Sequence, residues 1–402
     1  NLLPDLAIGR LPVSTLNQLN GVVAKIVKYD DLSGDQSWRQ KMLLMADDAY
    51  SGQSFFGGPA GTSEYCRRGG ELVFSRIDGV VDSLIRKSAG LAQTQVDLFE
   101  LSYYLPNRPG EYTTSGGPDT CRNSLPVFVS RARAFATPDL FSRLNAGRMW
   151  WSYQGHANEY LLAHENFYLN ELGTDDKSRF VNDGKPFFFS AFSCHPNSFG
   201  RLRGGNDPSF GPSVGEDLVN LPNRGAIASW ASTGFEQLPG DYTQHLHVYL
   251  AKSMFVNPPR DEVLGDRGSR QVLGEVLVAS LLANFTGRLT SGLERDLAIT
   301  YTLLGDPATR LSIGQPQSIV TANALPVTSG QEILLHTPGP ALALDATLVS
   351  SVRLDTLSLV RRDPGGTTVI WRSTDATLPG GLTVTPAFPD TAKIGSVSGG
   401  RR

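Results

Sequence analysis

Two apolar runs in this sequence end in residues that can carry acyl-transfer chemistry. Arg148-Met-Trp-Trp-Ser-Tyr-Gln-Gly-His156 delivers an imidazole directly after a strand-like run, and Pro186-Phe-Phe-Phe-Ser-Ala-Phe-Ser-Cys194 delivers a thiol at the same place on the next. A thiol is already a good nucleophile in the small thiolate fraction present at neutral pH. A nearby imidazolium raises that fraction and can protonate a leaving amine. The backbone N–H groups of Ala157, after Gly155, and of Cys194 would stand where an oxyanion develops. The competing reading is a buried, inert cysteine closing an apolar strand. The polar, turn-forming His195-Pro-Asn-Ser that follows instead puts Cys194 at a loop mouth.

Other groups join or compete with this pair. Asp47 and Asp48 follow an earlier strand-like run, so they would emerge on the same sheet edge and could orient His156; a turn cap or a calcium ligand is the alternative. Gly211-Pro-Ser213-Val-Gly215 fits a nucleophile elbow, which requires a strand immediately before the serine. What precedes it is a Gly-rich loop, and Ser213 with Glu216 instead fits a capping box opening a short helix to Leu221. His164-Glu165 and His245-Leu-His247 lack the further ligands of a zinc site, so both read as surface or packing residues and no metal is assigned. No phosphate-binding loop or dinucleotide fingerprint occurs.

The elements that would position these groups alternate. Strand-like runs at Lys41 to Ala46, Val96 to Leu101, Met149 to Tyr153, Pro186 to Phe192 and Gly225 to Ala231 are separated by helical patterns. Glu71 to Arg86 repeats Leu72, Val73, Ile77, Val80, Val81 and Leu84, and Asp139 to Asn145 starts with Thr137 as N-cap and Pro138 at the first position. Ahead of them Asp5 to Val13 reads as a short buried strand and Ser14 to Tyr29 as a helix. The alternation predicts an α/β fold, a mostly parallel sheet with helices on both faces. In such sheets functional groups gather at the carboxyl ends of the strands, and right-handed crossovers make neighbours of consecutive strands. His156 and Cys194 are therefore expected side by side. From about Gln315 the texture changes to short alternating Thr, Val, Ser and Leu runs separated by turns such as Asp363-Pro-Gly-Gly, which predicts an all-β sandwich over 314–402.

Composition narrows the partners. Among 402 residues, 36 basic and 39 acidic side chains leave a net charge of −3, which offers no polyanion-binding surface, so nucleic acid is not an expected partner. No run approaches the length of a membrane span. The chain begins at Asn1 without a methionine, a start consistent with a signal peptide and upstream sequence having been removed or never included. Of three cysteines, Cys66 and Cys121 sit in loops expected to leave one sheet edge and could be bridged, leaving Cys194 free; in a reducing compartment all three would be thiols.

The sequence Tyr153-Gln-Gly-His156-Ala-Asn-Glu159, with Phe192-Ser-Cys194 and Phe199 following, resembles the gingipain-type cysteine peptidases. Pro4-Asp-Leu-Ala-Ile-Gly-Arg-Leu-Pro-Val, Ala46-Asp-Asp, Gly225-Ala-Ile-Ala-Ser-Trp-Ala-Ser-Thr and Leu304-Gly-Asp-Pro sit in the family's order, so the likeness spans residues 1 to about 312. It implies a caspase-like fold followed by an immunoglobulin-like domain, and a secreted or cell-surface bacterial endopeptidase acting on protein or peptide substrates. The dyad would be His156 and Cys194, with a Cys194 thioester as intermediate. It further implies that 1–38 are the last strand and helix of a truncated first caspase-like subdomain and that 39–313 form the catalytic one. By the same likeness Asp47 or Asp48 would orient His156 and Glu159 would line the substrate cleft. In caspase-like enzymes the loops beside the nucleophile form the pocket for the residue before the scissile bond. Here that loop offers Glu236 and Asp241 as carboxylates selecting Arg or Lys, or Trp230 and Phe235 as an apolar wall. Where the family has Gly after the histidine, this chain has Ala157, whose β-carbon could narrow the oxyanion site without removing its N–H. The chemistry requires no cofactor. The resemblance admits calcium, for which Asp30 to Asp35 is acidic but lacks the ligand spacing of a recognised loop. Gingipain-like sortases, which pass the acyl group to an amine, and a catalytically silent scaffold binding a partner are the competing readings.

Overall fold

The computed structural model describes residues 6–31, 36–48, 72–89, 96–105, 125–171, 173–200, 211–236, 242–256, 259, 270–285 and 299–312, together with strands between 317 and 393. Cys66, Cys121, Asp241 and most of Asp30 to Asp35 lie outside the described residues.

The chain opens with a two-residue strand, β1 (Gly9–Arg10), and helix α1 (Leu16–Tyr29). The expected buried strand over Asp5 to Val13 shrinks to these two residues, because Leu6 and Ile8 face solvent. Thr15 caps α1 in a closed box: its hydroxyl accepts from the Gln18 amide at 3.2 Å, and the Gln18 side chain accepts from the Thr15 amide at 3.1 Å. Next come β2 (Met42–Ala46) and α2 (Val73–Ala89), whose Phe74, Ile77, Val81 and Ile85 repeat at helical spacing and are buried. Strand β3 (Val96–Glu100) is followed by α3 (Leu125–Arg131), which runs through a π-helical turn at Ala132–Ala136 into α4 (Thr137–Asn145). Thr137 is therefore inside a continuous helix rather than its N-cap, and its hydroxyl donates instead to the Phe167 carbonyl at 2.6 Å. Pro138 removes an amide donor, and the helix widens there instead of starting.

Strand β4 (Trp150–Gln154) leads through a small hairpin, β5 (Leu161–Leu162) and β6 (Tyr168–Leu169), to β7 (Phe187–Phe192). Helix α5 (Val214–Asn220) and β8 (Ala226–Ser232) complete the parallel core. Then follow α6 (Leu246–Ala251), β9 (Arg270–Val272), α7 (Leu273–Phe285), β10 (Tyr301–Leu304) and β11 (Arg310–Ser312). The seven-stranded sheet has the order β1-β10-β8-β7-β4-β2-β3. β3, β2, β4, β7 and β8 are mutually parallel, whereas β10 runs antiparallel to β8 and carries β1 at the edge. The expectation of a mostly parallel α/β sheet thus holds; the antiparallel β10 arises from a segment read only as a Leu-Gly-Asp-Pro motif.

The central strands are buried at every position, so alternate residues feed two cores. Met42, Leu44, Trp150, Phe188, Phe192 and Trp230 face α2, α6 and α7, while Leu43, Met45, Trp151, Phe187 and Phe189 face α1, α3, α4 and α5. Aromatic pairs such as Trp151 and Phe189, 4.6 Å between centroids, fill the second core. Beyond residue 316 the described strand pairs are all antiparallel. Among the described residues no helix is long and apolar enough to cross a membrane.

Lys25 fastens α1 to this frame. Its ammonium is buried and donates to the carbonyls of Val219, Leu221 and Arg224 at 2.6, 2.8 and 3.1 Å, satisfying the C-terminal end of α5. Burial pushes its pKa down to about 7. Lys25→Met should destabilise the protein by about 1 to 3 kcal/mol, the cost of leaving buried carbonyls unpaired, measured by urea denaturation. An unchanged midpoint would mean that water replaces the ammonium there.

Candidate active site

The site is built on the register of two parallel strands. β4 pairs with β7 so that Gln154 stands opposite Phe192, and His156 and Cys194 each follow two residues later, at equal height on adjoining strand ends. The Gly155 amide extends the ladder to the Phe192 carbonyl at 3.3 Å, and the Gln154 side chain donates to the same oxygen at 3.1 Å. The structure therefore brings together the two residues that spacing singled out.

His156 is held through its backbone. Asp47, at the end of β2, accepts the His156 amide on Oδ2 at 2.8 Å, while the Tyr153 hydroxyl donates to the His156 carbonyl at 2.6 Å. Gly155 makes this approach feasible: its φ is +159°, and a β-carbon there would lie 2.3 Å from Asp47 Cβ. The ring itself is bracketed by Phe74, edge-on at 5.5 Å, and His164, 4.5 Å away. Asp47 thus orients His156 by fixing its main chain, a route that strand-end logic alone did not specify.

Asp48 and Glu165 complete an acidic cradle behind the histidine. Asp47, Asp48 and Glu165 are all buried and offer oxygens within 4.8 Å of one another. Three carboxylates cannot all stay ionised in so dry a space without a counter-charge. Burial, then the charges of Asp48 and Asp47, push the Glu165 carboxyl well above the usual range. Burial also raises Asp47, opposed by His156 and the N–H donors around it. The oxygen donors would suit a hard cation such as calcium; without one, a proton on Glu165 relieves the same repulsion. Glu165, read from sequence as a surface or packing residue, is a member of the site's buried wall.

The thiol lies half-buried on the other side, free among the described residues, with Sγ accepting the Glu236 amide at 3.3 Å. Burial pushes its pKa up; the Glu236 carboxylate adds to the rise and the Glu236 N–H opposes it. His195 adopts a left-handed conformation, φ +66°, which turns the chain sharply after Cys194, and its amide donates to Gly234 O at 2.9 Å. Asn197 is fully buried and ties this loop to β8 and β10, donating to Ser229 O at 3.2 Å and Thr302 O at 2.8 Å. The segment His195-Pro-Asn-Ser, read as an exposed turn, is therefore anchored inward. The Cys194 amide finds no partner among the described residues. Ala157 occupies the non-hydrogen-bonded place of a short ladder, between bonds from Asn158 N to Leu161 O and from Ala163 N to His156 O, so its N–H is not spent there either.

The candidates for substrate contact separate. Trp230 is a core residue, packed on Phe192 at 6.0 Å and Tyr301 at 5.0 Å, not a pocket wall. Phe235 is exposed beside His195, ring centroids 4.7 Å apart. Glu236 turns inward: its carboxyl is 3.6 Å from His245 Nε2, and burial raises its pKa while His245 and Tyr301 oppose the rise. Glu159 is half-buried in the loop after His156, its carbonyl taking the Val214 amide at 2.7 Å. Ser213 caps α5 with Glu216 as its spacing predicted, its amide 2.8 Å from the carboxylate. Sequence reasoning missed Tyr153, Glu165, His195 and Asn197. Only Tyr153 carried a signal, a phenol in a strand that leads straight to the histidine.

A model of peptidase family C25 matches residues 1–312. A sequence search of curated proteins finds no match. Among solved structures, the Arg-specific cysteine proteinase gingipain R is similar at 13% identity and a TM-score of 0.50, covering 96% of this chain and 70% of that one. A complex of the pro- and mature domains of RgpB from Porphyromonas gingivalis is similar at 13% identity and a TM-score of 0.51, covering 96% of this chain and 72% of that one. At this identity the likeness establishes the fold.

Two measurements test the cradle. Gly155→Ala should cost about 1 to 3 kcal/mol, because the new methyl displaces Asp47 from the His156 amide. The raised Glu165 pKa means that the folded state holds this proton more tightly than the unfolded one. Its contribution is complete below the ordinary glutamate range and fades as pH rises through the folded pKa. In EDTA buffer the melting temperature should therefore fall with rising pH in the wild type and fall less in Glu165→Gln. Parallel pH profiles for the two would show that Glu165 is ionised throughout.

Proposed function

As a member of peptidase family C25 the chain is a cysteine peptidase, and we propose that Cys194 is its nucleophile and His156 its proton carrier. The observation that carries this reading is the shared register of β4 and β7, which sets an imidazole and a free thiol level with each other on neighbouring strand ends. The resting thiol is protonated, since burial raises its pKa. On attack its proton passes to His156 while Sγ bonds to the scissile carbonyl carbon, and the oxyanion takes the N–H groups of Cys194 and Ala157. The imidazolium returns the proton to the leaving amine, leaving a thioester. His156 then deprotonates water, hydroxide displaces the thiolate, and the acid departs as the thiol regains its proton.

The substrate is a protein or peptide chain, reached outside the cell or at its surface, and the β-rich tail forms an immunoglobulin-like sandwich. We assign Glu236 to holding the thiol loop, since its amide meets Sγ and its carboxyl faces His245. A carboxylate reading a basic side chain before the cut is then left to Asp241, with the exposed ring of Phe235 as the neighbouring apolar wall. Glu236→Gln should leave the cleavage preference unchanged, whereas Asp241→Asn should abolish any preference for Arg or Lys in a peptide-library digest.

Cys194→Ala and His156→Ala should each lower peptide hydrolysis by roughly 10^3-fold or more with little change in melting temperature. Retention of most activity in Cys194→Ala would overturn the assignment. Alkylation of Cys194 by iodoacetamide should accelerate only above the ordinary thiol range, about pH 8.5, as burial requires. Product masses obtained with an added amine separate hydrolysis from transpeptidation.

A further inference from the structure

Behind the dyad, on the face of the sheet that packs on α2 and α6, lies a buried polar chain that the reaction does not use. Trp150 Nε1 donates to Ser190 Oγ at 2.9 Å, Ser190 Oγ lies 3.0 Å from Ser152 Oγ, and Ser152 Oγ is 2.8 Å from His247 Nε2. His247 Nδ1 is 3.4 Å from Asp78 Oδ1, and none of these five residues exceeds 3% exposure. The His247 ring lies flat on Phe192, 4.5 Å between centroids at 19°, and edge-on to Trp150 at 5.5 Å. Burial lowers the His247 pKa and raises that of Asp78, so both groups are held neutral and do not form an ion pair.

A buried polar chain in an aromatic core is costly compared with apolar filling, so its position is informative. Ser152 and Ser190 are register partners, and each stands four residues before a dyad member, Ser152 before His156 and Ser190 before Cys194. Strand side chains alternate, so residues at this spacing share one face. β4 and β7 are buried on both faces, and the latter begins Phe-Phe-Phe, so no alternation of polar and apolar residues selects their register. A slip of two residues would keep every side chain on its face, yet it would shift Cys194 past His156 by about 6.6 Å. It would also set Ser152 against a phenylalanine and strand the buried hydroxyls.

We propose that Ser152, Ser190 and His247 form a register lock that sets the height of Cys194 against His156, which makes them positioning residues of the peptidase. The proposal rests on the dyad reading above. His247 completes the lock because it approaches from α6, outside the sheet, and meets both strands at once, bonded to Ser152 of β4 and stacked on Phe192 of β7. Asp78 on α2 faces the other ring nitrogen of His247 at 3.4 Å.

The test compares Ser152→Ala, Ser190→Ala, the double variant, His247→Leu and His247→Gln, in the full chain. Each alanine variant removes one oxygen, which keeps the fold within reach even if His247→Leu does not fold. The lock predicts that kcat falls about tenfold to a hundredfold with KM nearly unchanged, the loss expected from displacing reacting groups by about an ångström. Amide hydrogen exchange along the β4 and β7 ladder should accelerate in the same variants. His247→Gln, whose amide can still donate to Ser152, should recover most of the rate. Lowered melting temperature with unchanged kcat and unchanged ladder exchange would overturn the lock and leave the dyad standing. Activity persisting in Cys194→Ala would instead overturn the dyad, and ladder exchange would still report whether the serines hold the register.

Discussion

The alignment of β4 with β7 is the constraint on which the rest of the molecule depends. Neither residue of the pair would do acyl-transfer chemistry alone, and they are far apart in sequence. They meet because two fully buried strands run parallel, in register, and end together. Parallel pairing demands a long crossover, and the segment between them, which includes a small hairpin, supplies it. The burial of both faces gives the strands their strength and removes the cue that fixes register in half-exposed sheets. That is why polar contacts between them matter more here than their small number suggests.

Cost concentrates at the carboxyl edge. There the chain holds a left-handed His195, a glycine against which Asp47 packs too closely for any β-carbon, and three acids within a few ångströms. Each departs from what local stability favours, and the raised carboxyl pKa values record free energy spent first on burial and, at Glu165, on the neighbouring acids. The offset comes from below, where Trp150, Trp151, Phe187, Phe188, Phe189 and Trp230 are buried in the two cores. A rigid aromatic floor lets the edge above it remain strained without loosening.

Much of this was legible in the residues. The five main strands and α1, α2 and α4 lie within a few residues of where hydrophobic runs and helical spacing put them, because long apolar runs between turns leave little choice. That His156 and Cys194 would stand at neighbouring strand ends followed from the apolar runs that precede them. What sequence concealed were contacts between distant segments. Glu165 beside a histidine looks like any loop carboxylate until the hairpin folds it under Asp48, and Asn197 in a Pro-Asn-Ser turn looks exposed until it is seen bonded to β8 and β10. Trp230 erred the other way: a tryptophan near the thiol suggested a pocket, but its place on a central strand commits it to the core. β10 escaped notice because a four-residue antiparallel strand beside parallel ones carries no periodic signal.

The two halves of the dyad are braced from opposite directions. His156 takes its support from β2, through Asp47, and from its own strand, through Tyr153. Cys194 takes its support from β8 and β10, through Asn197 and the Glu236 amide. In the strand order β10-β8-β7-β4-β2, each reactive residue thus leans on the neighbour away from its partner. Both sets of bracing contacts thus come from the flanks, while the pairing of β4 and β7 sets the separation of the two strand ends at one inter-strand spacing, about 4.8 Å. The placement of His156 and Cys194 therefore draws on strands from both sides of the pair.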